Sequence, residues 1–155
     1  MSALKSFNLA IEMATRKRDL ANQGLVQAQR SHLFAQDQMN QLQTYSAETE
    51  SRWTASAQIS TSTEMMRHHY QFMGRLNHAI GLQNGVLANE VRKVEFAKQV
   101  VLEAEFRLLS LSHVLKKKQA DISLLQSRRE QKQMDEFAAM RSSQSTGESF
   151  GGERL

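Results

Sequence analysis

Residues 73–122 read MGRLNHAIGLQNGVLANEVRKVEFAKQVVLEAEFRLLSLSHVLKKKQADI, with an apolar residue at every seventh position. The row consists of Met73, Ile80, Leu87, Val94, Val101, Leu108, Leu115 and Ile122. An α-helix turns once in 3.6 residues, so a strict seven-residue repeat keeps one apolar row against a partner helix through a left-handed supercoil. This stretch does not show the period-two alternation of a β-strand. It also lacks the run of about 20 consecutive apolar residues that a membrane span needs. The sequence predicts one long helix over residues 64–141 that packs along another helix.

The composition is typical of long helices rather than of a layered globule. The 155 residues include no proline and no cysteine, and 6% are aromatic. Without cysteine there is no disulfide framework, no thiolate zinc site and no Cys nucleophile, which suits the cytosol. The net charge of +4 is mild and favours an acidic partner over nucleic acid. The first residues contain no apolar run long enough for a signal peptide, so we expect a chain that is not secreted by that route.

A second apolar row runs through the first 42 residues in alternating steps of three and four. Its members are Leu4, Phe7, Ile11, Ala14, Arg18, Ala21, Leu25, Ala28, His32, Ala35, Met39 and Leu42. These are the a and d positions of about six heptads, interrupted only by Arg18 and His32. The row predicts a first helix over residues 2–56 with a coiled-coil seam.

Between Thr44 and Thr63 the repeat fails and Ser and Thr become frequent. Hydroxyl side chains compete for backbone hydrogen bonds and favour turns and caps over helix interiors. Residues 60–64, STSTE, resemble a helix start with a hydroxyl N-cap, so we predict a turn over residues 57–63. Trp53 and Ile59 are expected to pack over this end.

A reversal near residue 60 places residues whose numbers sum to about 118–120 opposite one another. Leu42 then faces Leu76, Tyr45 faces Phe72, and Leu4 faces the region of Leu115. The predicted fold is all-α, a long antiparallel two-helix coiled-coil hairpin. At 1.5 Å per residue, a helix of about 55 residues makes a rod of about 80 Å. Residues 142–155 contain three of the seven glycines and no periodicity, which predicts a disordered C-terminal tail.

Two groups of residues are not required for the pairing of the two helices. Phe72, Leu76 and Ala79 lie beside the main row, either as a broadened seam or as an exposed docking patch. Near the end of the second helix, basic residues collect with few acids between them: Lys116, Lys117, Lys118, Arg128, Arg129 and Lys132. They form either a solvated face or a projecting helix end that a partner completes.

No catalytic motif is present. The sequence contains no phosphate-binding glycine loop, no GxSxG and no HExxH. Glu64 and His68 stand four residues apart on one helix face, as metal ligands can, but an isolated rod offers no enclosed site. We therefore predict that the chain is not an enzyme and has no metal site and no cofactor.

Two strings resemble the FliJ family of the bacterial flagellar type III export apparatus. They are residues 133–138, QMDEFA, and the run Tyr70, Gln71, Phe72 followed by Leu76, Ala79 and Ile80; the resemblance covers residues 1–141. It implies a soluble hairpin similar to the stalk of rotary ATPases. The implied partners are the hexameric export ATPase, the cytoplasmic domain of the membrane export-gate protein, and export chaperones. The implied location is cytoplasmic, peripheral at the flagellar base on the inner membrane, with a monomer in isolation.

The resemblance also implies two binding sites. The gate-binding patch carries over to Gln38, Leu42, Tyr45, Phe72, Leu76 and Ala79. Thr49 and Gln83 depart from the family pattern, which has Tyr and His there, and Leu42 belongs to the first seam as well. The ATPase-binding end combines residues from both ends of the hairpin: Leu4, Phe7, Ile11, Arg18, Lys116, Lys117, Lys118, Arg128, Arg129, Met134 and Phe137.

Three other functions are weighed against this one. A homodimerising coiled-coil scaffold is the main alternative, although the Ser/Thr-rich break argues for one chain folding back on itself. A nucleic-acid-binding helix over residues 116–132 is disfavoured because no aromatic residues interleave with the basic ones for base stacking. A secreted filament or rod subunit leaves residues 133–138 unexplained.

Overall fold

The computed structural model describes the backbone of residues 2–150 and the side chains of residues 3–146. Two helices account for 98% of it, α1 (Ser2–Ile59) and α2 (Thr63–Phe150), and this part of the chain contains no strand. The two helices pack against each other, which confirms the predicted all-α helical hairpin. Neither helix contains, in these residues, a stretch long and apolar enough to cross a lipid bilayer.

The turn consists of residues 60–62, inside the segment predicted for it. Ser62 is the N-cap of α2: its hydroxyl oxygen accepts a hydrogen bond from the Met65 N–H at 3.3 Å, and its carbonyl accepts from the Met66 N–H at 3.0 Å. Trp53 is half-buried near this end, as expected. The expectation for Ile59 is wrong, because its side chain is 88% exposed as the last residue of α1.

The helix α2 continues beyond residue 141, where the sequence predicts its end. The Ser143 and Ser145 hydroxyls donate to helix carbonyls three residues earlier, at 3.0 and 2.9 Å, and Thr146 donates to the Ser142 carbonyl at 2.7 Å. These side chains thus find partners within the helix that contains them. The rest of the predicted tail, residues 151–155, lies outside the described residues.

By packing, the chain divides into two units. The longer unit is Glu12–Leu108, and the shorter unit combines Met1–Ile11 with Leu109–Leu155. Each has its own part of the seam.

In the longer unit, α1 buries the predicted a and d positions. Ala14, Ala21, Ala35 and Met39 are fully buried, and the predicted seam positions between them are half-buried. The row also continues through Ser46, Thr49 and Trp53, all half-buried, so the expectation that the repeat fails after Thr44 is wrong. Small hydroxyl side chains occupy seam positions there, a pattern that hydrophobicity alone does not reveal.

The α2 seam of the longer unit combines two rows. The predicted row from Met73 to Leu108 is buried or half-buried throughout. A second row lies three residues after it and consists of Leu76, Gln83, Glu90, Ala97 and Ala104. Leu76 is only 8% exposed. It is therefore part of the seam itself.

In the shorter unit the seam ends early. Leu4 and Phe7 on α1, and Leu111 and Leu115 on α2, are half-buried, and the Lys118 ammonium lies 4.3 Å from the centroid of the Phe7 ring. From residue 116 to residue 146 every side chain is exposed. Ile122, the last member of the predicted row, is 41% exposed and is not a core residue. The reason is geometric: α1 begins at Ser2, so few of its residues remain to face α2 beyond Lys118.

The seam predicts a contrast between two methionines of α1. Met39 is 2% exposed and Met13 is 58% exposed. We expect Met39→Ala to lower the free energy of unfolding by about 2 kcal/mol or more, because it removes buried methylene groups and leaves a cavity. Met13→Ala should change it by about 0.5 kcal/mol or less. Urea unfolding followed by circular dichroism measures both, and equal effects would contradict the burial pattern.

Candidate functional site

Five residues form an open groove near the turn end of the longer unit, which we call the hairpin patch. They are Gln38, Gln41, Leu42, Tyr45 and Gln83, and they enclose about 380 Å³. The Tyr45 ring meets the Phe72 ring edge to face, with centroids 6.0 Å apart and planes at 83°, which is a favourable aromatic geometry. This contact joins α1 to α2 at the pair predicted from the sequence.

The hairpin patch includes three of the six residues expected to bind the export gate, Gln38, Leu42 and Tyr45. Gln38 and Tyr45 are exposed, and Leu42, Phe72 and Ala79 are half-buried. Leu42 occupies a seam position and also lines the groove. Leu76 lies in the seam beneath, with too little exposed surface to contact a partner directly.

The two positions that depart from the family pattern both lie in the seam. Thr49 is half-buried among the a and d residues. The Gln83 side-chain amide donates a hydrogen bond to the Ala35 carbonyl at 2.8 Å and lies 3.5 Å from the Gln38 side-chain oxygen. Gln83, which also lines the hairpin patch, thereby links α2 to α1. Its polar side chain therefore contributes a hydrogen bond between the two helices.

A second cluster next to the turn was not identified from the sequence. The Trp53 and His69 rings stack with centroids 4.4 Å apart and planes at 9°. The His69 Nε2 atom lies 3.3 Å from a carboxylate oxygen of Glu50. The available signal was that the a/d spacing, continued past Thr44, places Trp53 in the seam. Among the described side chains, no group of three or more His, Cys, Asp or Glu residues is placed to hold a metal ion.

At the other end of α2, exposed residues form what we call the terminal surface. Glu130, Gln133, Met134, Phe137, Ala138 and Arg141 line an open groove of about 550 Å³. The Arg141 guanidinium lies 5.3 Å from the Phe137 ring centroid, within cation–π range. Met134 and Phe137 are both largely exposed, as are Arg128 and Arg129. An exposed apolar surface with a charged rim is typical of an interaction site.

Within the shorter unit, two residues of the expected ATPase-binding end are in contact. Phe7 and Lys118 are in contact, and Leu4 and Ile11 are half-buried in the same unit. Lys116 and Lys117 are exposed beside them along the chain. Arg18 belongs to the longer unit, where its guanidinium pairs with the Asp19 carboxylate at 3.0 Å. It is a seam residue there.

Glu90 is an acidic seam residue that the sequence did not single out. One carboxylate oxygen pairs with the Lys93 ammonium at 3.3 Å. The other is buried and has no hydrogen-bond partner among the described residues. Burying a carboxylate oxygen without a partner opposes folding. Together with Gln83 one heptad earlier, it makes this part of the seam polar.

Comparison with protein-family models finds a match over most of the chain. The model of a family described as flagellar FliJ protein matches residues 4–147. Among curated proteins, none matches the chain significantly.

The Tyr45–Phe72 contact predicts an energetic coupling. In a double-mutant cycle of Tyr45→Ala and Phe72→Ala, we expect the effects on unfolding free energy to be non-additive by about 0.5–1.5 kcal/mol, because each single change already removes the ring contact. The matched cycle pairs Tyr45→Ala with Phe106→Ala, an exposed aromatic residue distant along the helices, and should be additive. Additivity in both cycles would show that the ring contact does not stabilise the fold.

Proposed function

Because the chain belongs to the FliJ family of flagellar proteins, we propose that it is a stalk-like subunit that joins the export ATPase ring to the export gate. The family consists of components of the flagellar export apparatus. In this proposal the chain performs no chemistry of its own. It binds two larger proteins and couples ATP turnover in one to protein export through the other.

The observation that carries the proposal is the exposed part of α2 after Leu115. Every side chain from residue 116 to residue 146 is exposed, although six of them are large and apolar: Ile122, Leu124, Leu125, Met134, Phe137 and Met140. A helix of this length that lacks a packed face gains little stability from the rest of the chain. A partner protein that covers it supplies the missing contacts. The terminal surface is therefore the proposed site for the ATPase ring.

Charge supports the same assignment. Lys116, Lys117 and Lys118 are consecutive, and Lys118 lies over the Phe7 ring. Three adjacent cations mainly raise the rate of encounter with acidic loops and orient the helix as it enters a ring. Their effect on the binding affinity is smaller. The expected contribution of Arg18 is not part of this proposal, because that side chain pairs with Asp19 in the longer unit.

The hairpin patch is the proposed site for the cytoplasmic domain of the export-gate protein. Tyr45 and Gln38 offer exposed contact surface, and the Gln83–Ala35 hydrogen bond holds the two helices in place beneath them. Aromatic residues over a rigid base are frequent anchors in protein interfaces. With these two sites the chain resides in the cytoplasm, held at the flagellar base of the inner membrane by its partners, where it also meets export chaperones.

The ATPase assignment predicts the effect of a double substitution on the terminal surface. In the full chain, Met134→Ala with Phe137→Ala should weaken binding to the export ATPase of the same organism by about tenfold or more, because two apolar anchors are lost. Promotion of ring assembly and of ATP hydrolysis should fall in parallel. Light scattering and an ATPase assay measure both.

The control for this experiment is Phe106→Ala, an equally exposed aromatic residue of the longer unit. It should leave ring assembly unchanged. If the wild-type chain has no effect on the ATPase and is a stable dimer by light scattering, it is a homodimerising scaffold and the proposal fails.

The gate assignment predicts a difference between two exposed tyrosines. Tyr45→Ala should weaken binding to the cytoplasmic domain of the gate protein by about tenfold. Tyr70→Ala lies outside the hairpin patch and should not change it. Neither change should alter binding to the ATPase. Isothermal titration calorimetry decides, and equal affinities of the two variants would remove the patch from the proposal.

A further inference from the structure

The longer unit has two distinct flanks, one on each side of its seam. With the seam at heptad positions a and d, positions c and g lie to one side of each helix and positions b and e to the other. One groove between the helices contains Lys17 and Leu20 from α1 and Val100 and Arg107 from α2. All four are c or g residues, so the c and g positions of the two helices share one flank. We call it the c/g flank, and the opposite one the b/e flank.

Exposed apolar residues are more frequent on the c/g flank. Ten large ones lie there: Met13, Leu20, Phe34, Tyr45, Ile59, Met65, Leu82, Val86, Phe96 and Val100. The b/e flank has five: Val26, Leu33, Tyr70, Val91 and Leu102. A two-helix seam requires neither set, because both lie outside positions a and d.

The two flanks also carry opposite charge. The c/g flank has five cations, Lys17, Arg52, Arg75, Lys93 and Arg107, and two carboxylates, Glu48 and Glu103. The b/e flank reverses this ratio, with carboxylates at Glu12, Asp19, Glu50, Glu95 and Glu105 and cations at Arg67 and Lys98. The more apolar flank is thus the basic one. This combination favours a partner that is apolar and acidic.

One groove on the c/g flank is separate from the hairpin patch. It encloses about 530 Å³, with Ala21 and Ala104 among its lining residues and Leu20 and Val100 beside them. Lys17 and Arg107 contribute a cation from each helix, and Glu103 contributes one carboxylate. Within the described part of the chain, neither cation forms an ion pair. We call this feature the Leu20–Val100 groove.

We propose that the Leu20–Val100 groove and the c/g flank around it bind an amphipathic helix of another protein, whose apolar stripe is bordered by acidic residues. A groove between two helices matches the helix-in-groove mode of recognition. Lys93, Val100 and Arg107 succeed one another at seven-residue spacing, about 10 Å along α2, which fits the repeat of a packed helix. Leu20 and Phe34 are separated by about 21 Å along α1, so about two heptads of partner helix cover this stretch.

This site is separate from the two in the proposed function. The Leu20–Val100 groove contains none of the hairpin-patch residues, although Gln38, Gln41 and Tyr45 lie farther along the same flank. The terminal surface belongs to the other unit. The proposal for this groove can be tested without the ATPase or the gate protein, and its outcome does not depend on either.

The test uses the full chain and two labelled peptides of about 21 residues, three heptads long. Both have the same leucine stripe; one has glutamates beside the stripe and the other has lysines in the same places. The acidic peptide should bind and the basic one should bind at least about tenfold more weakly, and the affinity of the acidic peptide should fall as salt rises. Fluorescence anisotropy measures all three quantities.

Substitutions locate the site. Leu20→Gln with Val100→Gln should weaken binding of the acidic peptide by about tenfold or more, because the apolar contacts of both side chains are lost. The matched control, Leu33→Gln with Leu102→Gln, changes two exposed residues of the b/e flank and should have no effect. Lys17→Glu with Arg107→Glu should reverse the preference between the two peptides, whereas Lys98→Glu on the b/e flank should not. Thermal unfolding followed by circular dichroism confirms that each variant folds.

Three results would overturn the proposal. The first is equal binding of the acidic and basic peptides. The second is equal loss of binding in the variants of the two flanks. The third is a wild-type chain that is dimeric at micromolar concentration and becomes monomeric with Leu20→Gln and Val100→Gln, because the occupant of the groove is then a second copy of this chain.

Discussion

Burial of one narrow seam between α1 and α2 is the constraint on which the rest of the structure depends. Two helices have only one line of mutual contact, and the described part of the chain contains no third element that would widen it. Apart from Leu76 and Val101 on α2, the fully buried residues are alanines and one methionine on α1. Because alanines leave little volume to fill, the helices can approach closely, and most other apolar side chains remain in solvent. Exposed apolar side chains available to partners therefore occur along both helices, from Leu9 to Met140.

The seam also contains polar residues at and next to the hairpin patch. Gln83 and Glu90 occupy consecutive d positions, and Gln83 is bonded to the α1 backbone. Polar seam residues contribute less to stability than leucine does, but they favour one register over its neighbours. Beneath the hairpin patch, this means that Tyr45 and Phe72 stay opposite each other. A binding surface built from two helices depends on that alignment.

Features of the fold that depend on residue spacing within one helix could be predicted from the sequence, and features that depend on the packing of both helices could not. The helices, the turn and the Tyr45–Phe72 pair depend on spacing and on one reversal point, and all are readable from the sequence. The end of the seam at Leu115 depends on how many residues α1 provides to face α2, which the α2 repeat alone does not reveal. That is why Ile122 was expected in the core. The burial of Leu76 and the Trp53–His69 stack depend on the exact rotation of each helix, and so do the two flanks, which become distinct only once positions a and d are assigned.

The turn of three residues has a mechanical consequence. Four Cα–Cα steps connect Ile59 to Thr63, a span of at most about 14 Å when fully extended. Two packed helix axes are already separated by about 8–10 Å. Sliding α2 along α1 by one heptad, about 10 Å, would stretch the connection to roughly its full contour length. The turn therefore acts as a short tether. In the longer unit it limits the sliding of one helix along the other to about one heptad, so seam residues far apart in register cannot exchange partners.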